Sequence, residues 1–269
     1  IGISHLSRLG SRENILKAKM EICSFLGKDG VLVLNCDDNM LSPYENKDHK
    51  VIKIKSDNGG DFNISNVKDM GEKGVSFRLQ HMVEHCDFKI AVPGVHNIMN
   101  GSLAVGTAYC FGVDMKKAAA GLEKFTSTDK RLHIISGRGI KIIDDTYNAS
   151  PDSMVAALNV LSAVKSNRKI AILGDMFELG EDEAKHHRLI GEYASQKGIN
   201  VVISVGKNAE LISLAAKERG MDAFHFDSKD MLIGVISQWV RRGDAILIKG
   251  SRGMAMDEIA NHLKSLRIE

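Results

Sequence analysis

From about residue 129 onward, five short apolar runs recur at 140–143, 170–173, 201–205, 223–226 and 245–248, separated by stretches with helical spacing of apolar residues at about 152–164, 182–197, 208–219 and 228–241. A last helix is expected near 255–266. This alternation is the strongest constraint in the chain. Strands separated by helices of that length demand crossover connections, so the sheet they form is mostly parallel and covered on both faces.

Residues 1–128 read differently. Apolar positions Ile15, Ala18, Ile22 and Leu26 between Ser11 and Gly27 predict an amphipathic helix over 12–26, and 31–34 predicts a buried strand ending in Asn35-Cys36-Asp37-Asp38. From Pro43 to about Val92, β-rich pieces at 51–55, 75–79 and 88–91 suggest a meander or small antiparallel insertion. Helices are expected from Pro93-Gly94 to about Phe111 and over 114–124. The 269 residues fit roughly two domains.

Charge and cysteine content remove several function classes. With 36 Lys and Arg against 34 Asp and Glu, the net charge of +2 lacks the dense basic face that neutralises a phosphate backbone, so no nucleic-acid partner is expected. Cys23, Cys36, Cys86 and Cys110 are too widely spaced for a Cys-x-x-Cys motif, which fits reduced thiols in a cytoplasmic protein. No apolar run approaches the roughly 20 residues that span a bilayer, so no membrane partner is expected either. The chain opens Ile1-Gly2-Ile3-Ser4-His5 without an initiator Met, which suggests that upstream sequence is missing.

No strand is followed by G-x-G-x-x-G, which argues against a nicotinamide-dependent oxidoreductase, and no G-x-x-x-x-G-K-[ST] loop is present. Asn97 and Asn100 stand three residues apart, so both amides project from the first turn of one helix. They can read the edge of a base such as adenine, or Asn97 can cap the helix while Asn100 is solvated. Asp144-Asp145-Thr146-Tyr147-Asn148 follows a strand, as do Gly174-Asp175-Met176-Phe177-Glu178 and Lys249-Gly250-Ser251-Arg252-Gly253. Three such loops at carboxyl ends of parallel strands favour a ligand crevice on one rim, with ordinary polar turns as the alternative. His5 and Lys19, taken alone, are an unremarkable imidazole and a solvated charge.

Taken in order, these strings resemble the Mur ligase family, the ATP-dependent amide-forming enzymes of peptidoglycan precursor synthesis. The similarity runs along essentially the full chain, through Leu9-Gly10-Ser11-Arg12-Glu13-Asn14-Ile15, Gly94-Val95-His96-Asn97-Ile98-Met99-Asn100, Asp144 to Met154, Leu173 to Gly180, and Lys249 to Met254. The G-D-M-x-E-L-G and D-D-x-Y-N-A-x-P-D-S-M strings point to the branch that adds D-alanyl-D-alanine to UDP-N-acetylmuramoyl tripeptide. The implied fold is α/β: residues 1–128 as part of a central ATPase domain with a mixed sheet and helices, then residues 129–269 as a complete Rossmann-like C-terminal domain with a mostly parallel sheet.

The resemblance implies ATP and magnesium as cofactors, the UDP-linked tripeptide and D-alanyl-D-alanine as substrates of the full-length enzyme, and a monomer. By the same resemblance His5 and Lys19, the latter carbamylated, would be catalytic and metal-binding. Asn97, Asn100, Arg131, Asp145 and Tyr147 would contact ATP, with Arg131 catalytic at the phosphates. Asp175, Glu178, Lys249, Ser251 and Arg252 would face the amino substrate, with His187 as a further candidate. Without the phosphate loop and the first domain, the chain alone is expected to be inactive. Rival readings are another amide-forming ligase of the family, a folylpolyglutamate synthetase-like enzyme, or a non-catalytic protein that binds a nucleotide or a partner.

Overall fold

The structure is a computed structural model that describes residues 1–3 and 6–266. It divides into two compact units, one comprising Ile1 with Ser11–Thr126 and the other Gly2–Gly10 with Ser127–Glu269.

A one-turn helix, α1 (Leu6–Leu9), belongs to the second unit. The first unit opens with α2 (Arg12–Met20), capped by the Ser11 hydroxyl, which accepts the amide hydrogen of Asn14 at 3.2 Å. The helix expected over 12–26 stops early. Glu21–Phe25 winds into a 3₁₀ turn, because Ile22, Cys23, Ser24 and Phe25 are all weak helix formers and Phe25 is left 88% exposed.

Strands β1 (Val31–Asn35), β2 (Lys50–Lys55), β3 (Phe62–Asp69), β4 (Val75–His81) and β5 (Glu84–Ile90) then form one sheet in that order. The first three run parallel, and β3–β4–β5 is an antiparallel meander. The meander therefore continues the parallel sheet instead of standing apart as an insertion. Strand β3 was not expected, although Phe62 and Ile64 alternate with Asn63 and Ser65 at the strand period. Helices α3 (His96–Cys110) and α4 (Met115–Glu123) complete the unit. Gly101 and Gly106 let α3 lie close on the sheet: a Cβ at either position would come within 2.5 Å or 2.8 Å of Ile90 or Ile54.

The second unit carries six strands in the order β10-β9-β8-β11-β7-β6. Its elements are β6 (His133–Gly137), β7 (Ile140–Asp144), α5 (Pro151–Ala163), β8 (Arg168–Gly174), α6 (Glu183–Ser195), β9 (Val201–Val205), α7 (Glu210–Glu218), β10 (Asp222–Phe226), α8 (Lys229–Val235), β11 (Asp244–Lys249) and α9 (Asp257–Ser265). All pairings are parallel except β6 with β7, an unexpected hairpin. Its two-residue turn puts Arg138 and Gly139 at φ of 50° and 86°, as a twisted hairpin requires.

Two apolar layers cover the sheet. Met154, Leu158 and Leu161 of α5, Ile190 of α6 and Ile212 of α7 pack on one face. Leu232 of α8 and Ile259 and Leu263 of α9 pack on the other. The chain therefore leaves β8 toward one face and its neighbour β11 toward the opposite face. Their loops diverge at the carboxyl ends of the strands, which is where open α/β sheets form a crevice.

Candidate functional site

The strand ends at this divergence are held close by glycine. A Cβ on Gly250 would lie 2.7 Å from Met256 Cγ and 3.2 Å from Gly174 Cα, so the two backbones pass with no room for a side chain. Beyond them lies a cleft of about 200 Å3, lined by Asn148 to Ser150, Phe177 to Leu179 and Ser251 to Gly253. It has an apolar wall in Phe177, Leu179 and Ala149 and polar groups in Asn148, Glu178, Ser251 and Arg252.

The predicted residues around it divide by what they touch. Arg252 is exposed, its guanidinium 5.6 Å from the centre of the Tyr147 ring, while Arg131 stacks on that ring at 4.0 Å. Glu178 sits at φ 65° and pairs with Arg8 at 2.6 Å. The others turn inward. The Ser251 hydroxyl accepts the Phe177 amide hydrogen at 2.8 Å, and the Asp175 carboxylate accepts those of Asn208 and Ala209 at 3.0 and 2.6 Å at the start of α7. His187 is fully buried: its Nδ1 donates to the Glu183 carbonyl at 2.8 Å and its Nε2 accepts from the Met176 amide at 3.0 Å. These three fix the loop after β8.

Lys249 is 2% exposed, with its ammonium 2.6 Å from Asp145 Oδ2 and 2.8 Å from the Asn148 carbonyl. Burial pushes the Lys249 ammonium below its ordinary value; Asp145 beside it raises it, and Arg131 lowers it further. Asp145 also accepts the Leu132 amide hydrogen at 3.1 Å through Oδ1. Six of the lining residues fall outside the predicted set, and two of them, Asn148 and Phe177, shape the cleft most directly. Asn148 accepts the Arg252 amide hydrogen at 3.3 Å, and Phe177 offers an exposed ring. Both lie inside the strings that carried the resemblance, so their position at a strand's carboxyl end was the available signal.

In the first unit, Asn97 donates to the Pro93 carbonyl at 2.8 Å, and Asn100 donates to Asn97 Oδ1 at 3.2 Å. The two amides share one helix face. The N-cap of α3 is Val95, not Asn97, so the capping alternative does not hold. A larger groove of about 920 Å3 runs along β4, β5 and α4, but it holds none of the predicted residues, and its Arg78 and Asp87 satisfy each other at 2.8 and 3.0 Å.

His5 lies outside the described residues, and Lys19 is an exposed ammonium on α2. Among the described residues no group of three or more His, Cys, Asp or Glu side chains converges. Ser204, His225 and Asp227 line up at 3.0 and 3.5 Å, but Ser204 is fully buried within the sheet and its hydroxyl cannot meet a substrate.

Residues 1–108 match the Mur ligase middle domain and residues 130–252 the Mur ligase glutamate ligase domain. The UDP-N-acetylmuramoyl-tripeptide--D-alanyl-D-alanine ligase of Bacillus subtilis is 35% identical over 98% of this chain, and that of Escherichia coli 32% identical over 98%. The chain spans 57% and 58% of their respective lengths. Among solved structures, MurF from Acinetobacter baumannii superposes with a TM-score of 0.86 at 26% identity, covering 98% of this chain and 58% of that one. MurF from Thermotoga maritima, solved in complex with ADP, gives a TM-score of 0.82 at 22% identity, covering 98% and 60%. With both domain types present in the family's order, the chain belongs to the Mur ligase family.

Proposed function

We propose that the chain carries the nucleotide-facing and amino-substrate-facing parts of an ATP-dependent ligase that adds D-alanyl-D-alanine to UDP-N-acetylmuramoyl tripeptide. In this reading residues 1–128 belong to the central ATP-binding domain and residues 129–269 form the C-terminal domain. A carboxylate oxygen of the tripeptide attacks the γ-phosphorus of ATP and ADP leaves. The dipeptide amine then attacks the acyl phosphate carbon, inorganic phosphate leaves, and the amine proton is lost.

The observation that carries this reading is the cleft between the loops after β8 and β11. Its size suits a dipeptide, and its make-up suits this one: Phe177, Leu179 and Ala149 for two methyl groups, the Arg252 guanidinium for the carboxylate, and Glu178 for the ammonium. Arg131 is assigned to the phosphoryl oxygens, where charge accumulates during transfer. Tyr147 is assigned to the base and Asp145, which follows β7 at the carboxyl end of the sheet, to the ribose. Asn97 and Asn100 are assigned to an adenine edge.

The assignment of Asp175, Lys249, Ser251 and His187 shifts from direct substrate contact to holding the loops that make contact. The reading also takes the protein to be a cytoplasmic monomer, in keeping with its four free cysteines. Among the described residues no helix is long and apolar enough to cross a membrane.

Titrating the isotope-labelled chain with D-alanyl-D-alanine, L-alanyl-L-alanine and D-glutamate, and following amide chemical shifts, tests the reading. The D,D-dipeptide is expected to move the signals of Phe177, Ser251 and Arg252 selectively. A response to D-glutamate instead would assign the cleft to a different ligase of the family.

A further inference from the structure

Arg131 is carried by an unusual piece of backbone. Its two neighbours, Lys130 and Leu132, both adopt left-handed conformations, at φ of 62° and 48°, and neither is glycine. A branched, buried residue such as Leu132 pays steric energy in that region, so it persists only where its surroundings over-determine it. The Arg131 amide donates to the Thr128 carbonyl at 3.2 Å and the Lys130 ammonium pairs with Asp257 at 2.8 Å, and two further bonds tie the segment to the loop after β7. The Leu132 amide donates to Asp145 Oδ1 at 3.1 Å, and the Tyr147 amide donates to the Lys130 carbonyl at 3.0 Å.

Both bonds lead back to Lys249. Its ammonium holds Asp145 through the other carboxylate oxygen at 2.6 Å and the Asn148 carbonyl at 2.8 Å, and so grips the loop after β7 on either side of Tyr147. Lys249 itself ends β11, a strand buried along its full length, and is a rigid point of attachment. We infer that Lys249 is a positioning residue: its buried ion pair with Asp145 holds the strained Lys130–Leu132 segment in place and thereby sets the Arg131 guanidinium on the Tyr147 ring. The consequence for nucleotide binding rests on the proposed function above, whereas the lock itself does not.

The pair is suited to this task because a buried charge without its partner is costly, so the two groups cannot separate without disturbing the loop. A direct substrate contact by Lys249 is disfavoured for the same reason. Its ammonium would have to leave Asp145 and a nearly solvent-free site.

Hydrogen exchange on the chain without nucleotide, in wild type, Lys249→Met, Asp145→Asn and the double variant, tests the lock. In Lys249→Met the amides of Leu132 and Tyr147 are expected to exchange at least about tenfold faster, with those of β9 unchanged, because the opening is local. The double variant should exchange no faster than Lys249→Met, since one interaction is lost in both. ADP affinity, measured in parallel, should fall together with protection at these two amides across the series. Unchanged protection of Leu132 and Tyr147 in Lys249→Met overturns the inference. If Lys249→Met fails to fold, Asp145→Asn, nearly identical in shape, decides alone: faster exchange at both amides supports the lock and unaltered exchange refutes it. Absence of ADP binding by the wild-type chain would count against the functional reading and leave the exchange result to judge the lock.

Discussion

The hydroxyl of Ser251 accepts the amide hydrogen of Phe177 at 2.8 Å, a bond that ties the loop after β11 to the loop after β8 at the point where the two diverge. The return contact, from the Ser251 amide to the Asp175 carbonyl at 2.9 Å, closes the stitch. Ser251→Ala removes the acceptor and leaves the half-buried Phe177 amide poorly satisfied, which should cost about 1 kcal/mol of stability in a denaturant titration. The same variant should weaken D-alanyl-D-alanine binding, because Phe177 is no longer held at the cleft wall.

Asp175 is expected to act through α7. Its carboxylate receives two amide hydrogens at the start of that helix, so Asp175→Ala should destabilise the chain by about 1–2 kcal/mol, as the loss of a helix cap does. Asp175→Asn keeps an acceptor oxygen and should retain most of that stability. Thermal unfolding of the two variants separates a capping role from a direct substrate contact, under which both would unfold like the wild type.

The largest single loss is expected at the amino end of β8. Arg168 makes a two-pronged pair with Asp244 at 3.0 and 2.7 Å and also donates to the Trp239 carbonyl at 2.6 Å, while Asp244 is only 2% exposed. Asp244→Ala strands the guanidinium and should cost about 3–5 kcal/mol by chemical denaturation. A variant as stable as the wild type would show that the pair is freely hydrated.

Lys130 and Asp257 pair at 2.8 Å. The Lys130 ammonium holds the Asp257 carboxyl below its ordinary 3.8, and Asp257 in turn raises Lys130 above 10.5. The lowered carboxyl contributes stability that is present above pH 3.8 and lost as pH falls through the depressed value. The raised amine contributes stability present below pH 10.5 and lost as pH rises through the raised value. Asp257→Asn should therefore melt slightly below the wild type between those limits, and the two should converge in acid. A gap that persists at pH 2 would assign the effect to packing.

The second unit was legible because its central strands β7, β8, β9 and β11 are largely buried on both faces and read as continuous apolar runs. What escaped were edge and antiparallel pieces: His133 to Gly137 has only Ile134 and Ile135 as apolar residues, and Asn-rich β3 hid its alternation among turn formers. The rim residues could be located from their place after strands, but not their direction. Whether Lys249 or Ser251 faces solvent depends on partners more than 70 residues away, Asp145 and Phe177, which local pattern does not reveal.

The cleft between the loops after β8 and β11 is the centre of the account, and a crystal structure of the chain grown with saturating D-alanyl-D-alanine tests it most directly. The account predicts dipeptide density in that cleft, its carboxylate at the Arg252 guanidinium and a methyl group against Phe177. Density for the dipeptide elsewhere, with the cleft holding only solvent, would contradict it.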